Sequence, residues 1–304
     1  MKHLKTFAAL CCVAAAFAAC EPQNGPDNGQ TGNNQYTLTV VSSDEAMGTV
    51  TGSGRYPAGS EIVITATANK GYSFQKWHDG NTDNPRTVTV IADATYTAIF
   101  AAAPTAGTEN GHAWVDLGLP SGLKWATCNV GATFPEEYGD YFAWGETTTK
   151  ETYEWSTYTL TTDGGTTFIK YNTTDGKTTL DLTDDAARAN WGGAWRMPTD
   201  AEWQELIDNC TWTWTENYKE TGIKGYEVKS KTNENSIFLP AAGFRSYGGL
   251  YNAGSYGDYW SSSLDAGDPF YALDVIFCSD YVFRGGTNLS YYRYYGRSVR
   301  AVID

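Results

Sequence analysis

Apolar and polar positions alternate with a period of two along several short stretches of the chain. Tyr36-Thr37-Leu38-Thr39-Val40, Ile62-Val63-Ile64-Thr65-Ala66, Thr87-Val88-Thr89-Val90-Ile91 and Tyr96-Thr97-Ala98-Ile99-Phe100 follow the pattern and are rich in β-branched residues. Gly52-Ser53-Gly54 and Pro57-Ala58-Gly59 interrupt it with turn chemistry. Short strands joined by tight turns are therefore predicted. The alternation returns near the C-terminus, where Leu273, Val275 and Phe277, then Val299 and Ala301, point toward a core. A helical period is legible in two places. Thr199-Asp200-Ala201-Glu202 reads as a capping box, with Trp203, Leu206 and Ile207 on one face of a helix running to about Asn209. Thr183-Asp184-Asp185 opens a shorter helix, which Gly192-Gly193 stops.

The rest of the chain divides by composition. Met1-Lys2-His3-Leu4-Lys5 is basic, Thr6 to Phe17 is apolar but too short to span a bilayer, and Phe17-Ala18-Ala19-Cys20 closes the run. Residues 1–19 are thus expected to be an export signal. The Cys20 context resembles the bacterial lipoprotein box, which implies lipid attachment at that cysteine. Residues 20–34, rich in Gly, Asn, Gln and Pro, read as a flexible tether. A β-rich unit is expected over 35–100, a linker over 101–110 and a second folded unit over 111–304. No later stretch has the length and hydropathy of a membrane-spanning helix.

Charge and composition narrow the chemistry. The 304 residues carry a formal charge of −14. Removing Lys2 and Lys5 with the signal leaves 19 basic against 35 acidic residues, or −16. A chain this acidic repels phosphate backbones, so nucleic acid is excluded as a partner. Aromatic residues make up 14%, which excludes a disordered chain. His78 and His112 are the only histidines outside the signal, too few for a histidine-rich metal site or a His-paired catalytic dyad. Trp77 reads as a core plug and His78 as a surface residue. Four cysteines follow the signal: Cys20, Cys128, Cys210 and Cys278.

Two resemblances emerge from motif order. Gly48-Thr49-Val50, Tyr56-Pro57-Ala58-Gly59, Gly71-Tyr72-Ser73-Phe74-Gln75-Lys76-Trp77, Asn84-Pro85 and Thr95-Tyr96-Thr97-Ala98-Ile99-Phe100 together resemble the divergent internalin-B-type repeat. That resemblance implies a small β module serving as a stalk in bacterial surface proteins. The segment from His112 to Ala132, Glu137-Tyr138-Gly139-Asp140-Tyr141-Phe142-Ala143-Trp144-Gly145-Glu146, Trp195-Arg196-Met197-Pro198-Thr199, Phe238-Leu239-Pro240-Ala241-Ala242-Gly243, Tyr259-Trp260-Ser261-Ser262-Ser263 and Gly296-Arg297-Ser298-Val299-Arg300 resemble the Fibrobacter succinogenes major paralogous domain. It implies an α+β, C-type-lectin-like fold in the branch that holds formylglycine-generating enzymes. The fold class expected is therefore two domains, a small all-β repeat module followed by an α+β C-type-lectin-like domain. Cys128 and Cys210 both stand at motif positions, and in an exported domain they are expected to form a disulfide. Cys278 reads as a small, half-buried residue.

Catalysis finds little support. Arg284-Gly285-Gly286-Thr287 resembles a strand-end motif of the formylglycine-generating enzymes, but the cysteine pair those enzymes need is missing. Asp181, Asp184 and Asp185 lack calcium-loop spacing, and helix capping accounts for two of them. No catalytic residue, metal or cofactor is assigned. The informative stretch is 245–304, where ten tyrosines are interleaved with Ser, Gly, Asn and Asp. That mixture matches antibody binding loops, in which Tyr supplies contact area at low entropic cost. The candidate ligand-binding residues are Tyr247, Tyr251, Tyr256, Tyr271, Asp280, Tyr281, Phe283, Arg284, Asn288, Tyr291, Tyr292, Arg293 and Tyr295, while Tyr259 is assigned to structure. C-type-lectin-like domains of surface lipoproteins are targets of diversity-generating retroelements, and residues 247–295 have the composition of such a segment. The sequence thus predicts an exported, lipid-anchored protein of the outer membrane or cell surface, an adhesin capturing a glycan or protein. The alternatives are a structural or tip subunit of a pilus or polysaccharide-uptake complex and, more remotely, a formylglycine-generating-type enzyme.

Overall fold

The computed structural model describes residues 34–69, 71–103, 105–285 and 291–304. The expected export signal, Cys20, nearly all of the expected tether, and Asn288 lie outside the described residues. The chain forms two compact units, one from residues 34–69 and 74–100 and the other dominated by residues 101–304. Strands are the main element of both. No described helix is long and apolar enough to cross a membrane.

In the first unit, the strands are β1 (Gln35–Ser42), β2 (Gly48–Thr51), β3 (Gly54–Pro57), β4 (Glu61–Ala68), β5 (Tyr72–Trp77), β6 (Arg86–Thr89) and β7 (Ala94–Ala102). They form one sheet in the order β3-β1-β7-β5 and a second in the order β2-β4-β6. The first pairs β1 and β7 in parallel, with Leu38 opposite Ala94. The period-two pattern sets which side chains face in: β1 buries Leu38 and Val40, and β4 buries Ile64 and Ala66. Trp77 is fully buried among them, and its indole N–H donates to the Asp83 carbonyl at 2.9 Å. His78 is exposed, and its Nδ1 accepts from the Thr97 amide at 3.3 Å.

The second unit contains β8 (Ala106–Glu109), β9 (His112–Asp116), β10 (Lys124–Asn129), α1 (Ala186–Trp191), α2 (Asp200–Asn209), β11 (Cys210–Thr215), β12 (Gly225–Ser230), β13 (Ser236–Pro240), β14 (Phe244–Ser246), β15 (Gly249–Tyr251), β16 (Gly257–Leu264), β17 (Tyr271–Cys278), β18 (Tyr281–Arg284), β19 (Tyr291–Tyr292) and β20 (Arg300–Ile303). The last strand returns to pair with β10, in the order β20-β10-β9-β8. Strands β11, β12 and β13 form a meander, β14 and β15 a separate hairpin, and β16, β17 and β18 a sheet in which β19 also pairs with β17.

Both helices start near where their caps predict. Thr199 Oγ1 accepts from the Glu202 amide at 3.3 Å, and Glu202 Oε2 accepts from the Thr199 amide at 2.7 Å. This capping box aims Trp203 and Leu206 of α2 into the core, while Ile207 is half-buried. Asp185, the last residue of the Thr183-Asp184-Asp185 opening, caps α1, and Leu182–Asp184 forms a 3-10 turn ahead of it. Its carboxylate accepts from the Arg188 amide at 3.0 Å. The acids considered for calcium are occupied: Asp181 pairs with Lys170 and Lys177, and Asp184 with Lys170 and Tyr171.

Tryptophan builds the core, and several of the large rings find a partner for their N–H, although those of Trp125 and Trp212 have none among the described residues. Trp144 donates to the Ser261 carbonyl at 2.9 Å, Trp195 to Glu109 at 2.8 Å and Trp260 to Phe142 at 2.9 Å. Tyr259 is fully buried and donates to the Pro240 carbonyl at 2.9 Å, which makes it structural. In β17, Val275 and Phe277 are fully buried, but so is Ile276 largely, and Leu273 is only half-buried. This strand is covered on both faces along its second half, so the alternation reports only part of its environment. Arg300 is buried as well. It donates to Asn129 Oδ1, to the carbonyls of Ala126 and Thr127, and to that of Phe238, fastening β20 to β10 and β13.

The expected disulfide is not formed. Cys128, Cys210 and Cys278 are all free thiols. Cys210 opens β11 inside the cluster of Leu117, Leu206 and Val228, and burial pushes its thiol up to about 11. Cys128 instead donates to the Thr133 carbonyl at 3.4 Å. It lines a groove of about 310 Å³ beside His112 and Trp191. The two sulfurs are held in different surroundings, and motif position does not bring them together.

Candidate aromatic binding face

The β14–β15 hairpin of the second unit carries three exposed apolar side chains, Tyr247, Leu250 and Tyr251. Phe244 faces Tyr251 and Ser246 faces Gly249 across it, leaving Tyr247 and Gly248 at the turn. Tyr247 adopts a φ of 49°, uncommon for a bulky residue. Tyr153 holds it there: each residue's amide donates to the other's carbonyl at 2.8 Å. The backbone is thereby fixed while the Tyr247 side chain stays 59% exposed. Beside it, Leu250 and Tyr251 are 42% and 47% exposed. Gly243 precedes the hairpin at a φ of 62°, and a Cβ there would collide with the Tyr251 carbonyl, so this position requires glycine.

Ring contacts carry the surface onward from the hairpin. Phe244 lies 5.6 Å from Tyr251 and 5.3 Å from Tyr295. Tyr295 is 6.3 Å from Tyr291 and 6.0 Å from Tyr292. Tyr292 stacks on Tyr271 at 4.9 Å, their strands being paired. A hydrogen bond with Tyr292 and partial burial push the Tyr271 phenol up to about 12. A second exposed group stands on the β17–β18 hairpin, where Tyr281 and Phe283 meet edge to face at 5.1 Å. Burial and a hydrogen bond with Tyr256 push the Tyr281 phenol up to about 12. Tyr256 is also near enough to Tyr291 to raise its phenol.

The structure therefore brings most of the candidate residues together but sorts them into two sets. Tyr247, Tyr251, Tyr281, Phe283 and Asp280 are exposed, whereas Tyr256, Tyr271, Tyr291, Tyr292 and Tyr295 are half-buried supports. Tyr292 in particular packs on Trp155 at 5.6 Å and Tyr294 at 5.5 Å, so it is part of a core cluster.

Two arginines depart from the expectation. Arg293 is fully buried and cannot contact a ligand at this surface. Its Nε donates to Tyr158 Oη at 2.9 Å and its terminal nitrogens to the carbonyls of Tyr171, Pro269 and Lys170. Arg284 is bound to the Asp200 carboxylate at the start of α2. Leu250 and Phe244 also belong to this hairpin but fall outside the tyrosine-rich composition that marks the segment in the sequence. The Tyr247-Gly248 pair between two short apolar segments was the available signal for a hairpin tip.

A buried charge group underlies this face. Arg297 is fully buried between Asp274, which it binds, and Asp258 at 3.3 Å. Two carboxylates share one guanidinium, leaving Asp258 Oδ2, Asp274 Oδ1, and Arg297 Nε and Nη2 without hydrogen-bond partners. Burial raises Asp258 above the usual carboxylate range and lowers Arg297 to about 10. The Arg297 guanidinium lies under Tyr291 at 4.2 Å and beside Trp260 at 4.8 Å.

Residues 36–104 match the family model described as a divergent InlB B-repeat domain. The N-terminal unit is thus a β module similar to repeats of that type, as its motif order implied. No curated protein and no solved structure matches the chain.

Proposed function

We propose that this is an exported, lipid-anchored ligand-capture protein whose repeat module serves as a stalk for a C-type-lectin-like head. Lipidation at Cys20 and the lectin-like fold rest on the sequence motifs alone. The capture role rests on one observation: Tyr247, Leu250 and Tyr251 are exposed on one hairpin, from which Tyr251 continues through Phe244 and Tyr295 into a packed tyrosine layer, and Tyr281 and Phe283 are exposed on a second. Exposed rings held by a rigid base lose little entropy on binding and can stack on a sugar or fill a protein pocket. The reading is non-covalent binding rather than catalysis.

The test is a binding screen of residues 20–304 carrying Cys20→Ser against glycan arrays and extracellular-matrix proteins, with and without calcium. A hit weakened by Tyr251→Ala with Tyr281→Ala, at unchanged melting temperature, supports capture through this face. A hit that survives the double variant puts the site elsewhere.

A further inference from the structure

We infer that the aromatic face takes cationic side chains, and that its partner is a protein surface bearing arginine or lysine. This inference rests on the capture reading and specifies its chemistry. Ring faces carry negative electrostatic potential and attract cations. Within this unit, rings already hold guanidinium groups: Arg293 lies 4.5 Å from the Phe168 centroid and 4.9 Å from Trp144, and Arg297 lies under Tyr291.

Acids reinforce that potential at three places. Asp268 stands on the turn before Tyr271, whose amide donates to its carbonyl at 3.1 Å. Asp280 stands exposed at the turn leading into Tyr281. Beneath Tyr291 the Arg297 guanidinium is flanked by two carboxylates, Asp258 and Asp274, so the acids of that group outnumber its cation. Most arginines of this segment do not offset these acids at the surface. Arg284 is bound to Asp200, and Arg293, Arg297 and Arg300 are fully buried. Arg245 lies over the Tyr141 ring at 5.2 Å. The chain's charge of −14 would draw a basic partner in and repel an acidic one. Tyrosine and arginine are also both enriched at protein interfaces.

The probe is a fluorescein-labelled hexa-arginine peptide titrated by anisotropy at low ionic strength into residues 20–304 carrying Cys20→Ser. Hexacitrulline, of the same shape but neutral, is the comparison. Expected are binding of the arginine peptide alone, and a loss of about five- to thirtyfold on Tyr251→Ala with Tyr281→Ala, the weight of two exposed cation–ring contacts. Asp268→Asn with Asp280→Asn should weaken binding too. Glu45→Gln with Glu61→Gln, which removes equal charge from exposed sites in the repeat unit, should not.

No binding of the arginine peptide, or an equal loss in the Glu45/Glu61 control, overturns the inference. If hexacitrulline binds equally well and the ring variant weakens both peptides, the capture face stands and its cation preference falls. If the ring variant weakens no probe here or in the screen above, both fall. Tighter binding of a chitosan oligomer than of the peptide would move the partner from protein to glycan and overturn the assignment.

Discussion

The guanidinium of Arg297 lies 4.2 Å from the ring centroid of Tyr291, so the aromatic face rests directly on a buried charge. That charge also holds Asp258 and Asp274 together. Arg297→Met keeps the volume and removes the cation, leaving two carboxylates in a dry site. The expected loss is about 3–5 kcal/mol of unfolding free energy in urea denaturation. Adding Asp258→Asn and Asp274→Asn should recover part of it. A loss below about 1 kcal/mol would mean that water reaches the carboxylates.

Asp258 sets a pH dependence of known sign. Burial raises its folded-state pKa above the unfolded value near 3.8. Between those two values the folded protein holds a proton that the unfolded chain releases, so this residue's contribution to stability falls as pH rises through that window. Above the window the full cost remains. Asp258→Asn should therefore help most at neutral pH, and its advantage should shrink as pH falls toward 3.8. Melting temperatures of both proteins from acid to neutral pH check this; a difference that does not vary with pH would contradict it.

Tyr292 and Tyr281 should behave oppositely despite their similar sequence settings. Tyr292 packs against Trp155, Tyr271, Tyr294 and Tyr295, and its replacement by Ala should cost about 2 kcal/mol. Tyr281 is 39% exposed at a hairpin, and Tyr281→Ala should cost under about 1 kcal/mol. Chemical denaturation of the two single variants separates them.

The three thiols should label at different rates. With Cys20 replaced, Cys128 should react with a small maleimide in the folded protein, because it lines an open groove. Cys210 and Cys278 are buried and should label only after unfolding. Peptide mapping assigns the sites. A mass shift on reduction, showing a Cys128–Cys210 bridge, would contradict the free thiols seen here.

Local signals were legible where local physics governs. The Thr199–Glu202 box positions α2 because its hydrogen bonds close within four residues. The period-two runs of the repeat unit found their buried sides because a sheet with one solvated face enforces alternation. The Thr183-Asp184-Asp185 opening marked the start of α1, with Asp185 as its cap, but not the 3-10 turn over Leu182–Asp184 ahead of it. The candidate face was legible as a composition and not as a surface. Tyrosine enrichment marked 245–304, but nothing in it distinguished Tyr281, exposed on a hairpin, from Tyr292, packed on Trp155.

The sequence by itself determined the β-rich character, the repeat type of the N-terminal unit and the caps of the long helix, because these depend on neighbours within a few residues. Tertiary structure alone decided which rings reach solvent, why Arg293 turns inward, and that Cys128 and Cys210 stay apart. Those outcomes depend on pairing between distant strands: β19 on β17 puts Tyr292 against Tyr271, and β20 on β10 carries Arg300 to Asn129. A single residue's exposure is set by what such pairings stack upon it, and that information is spread over the whole chain.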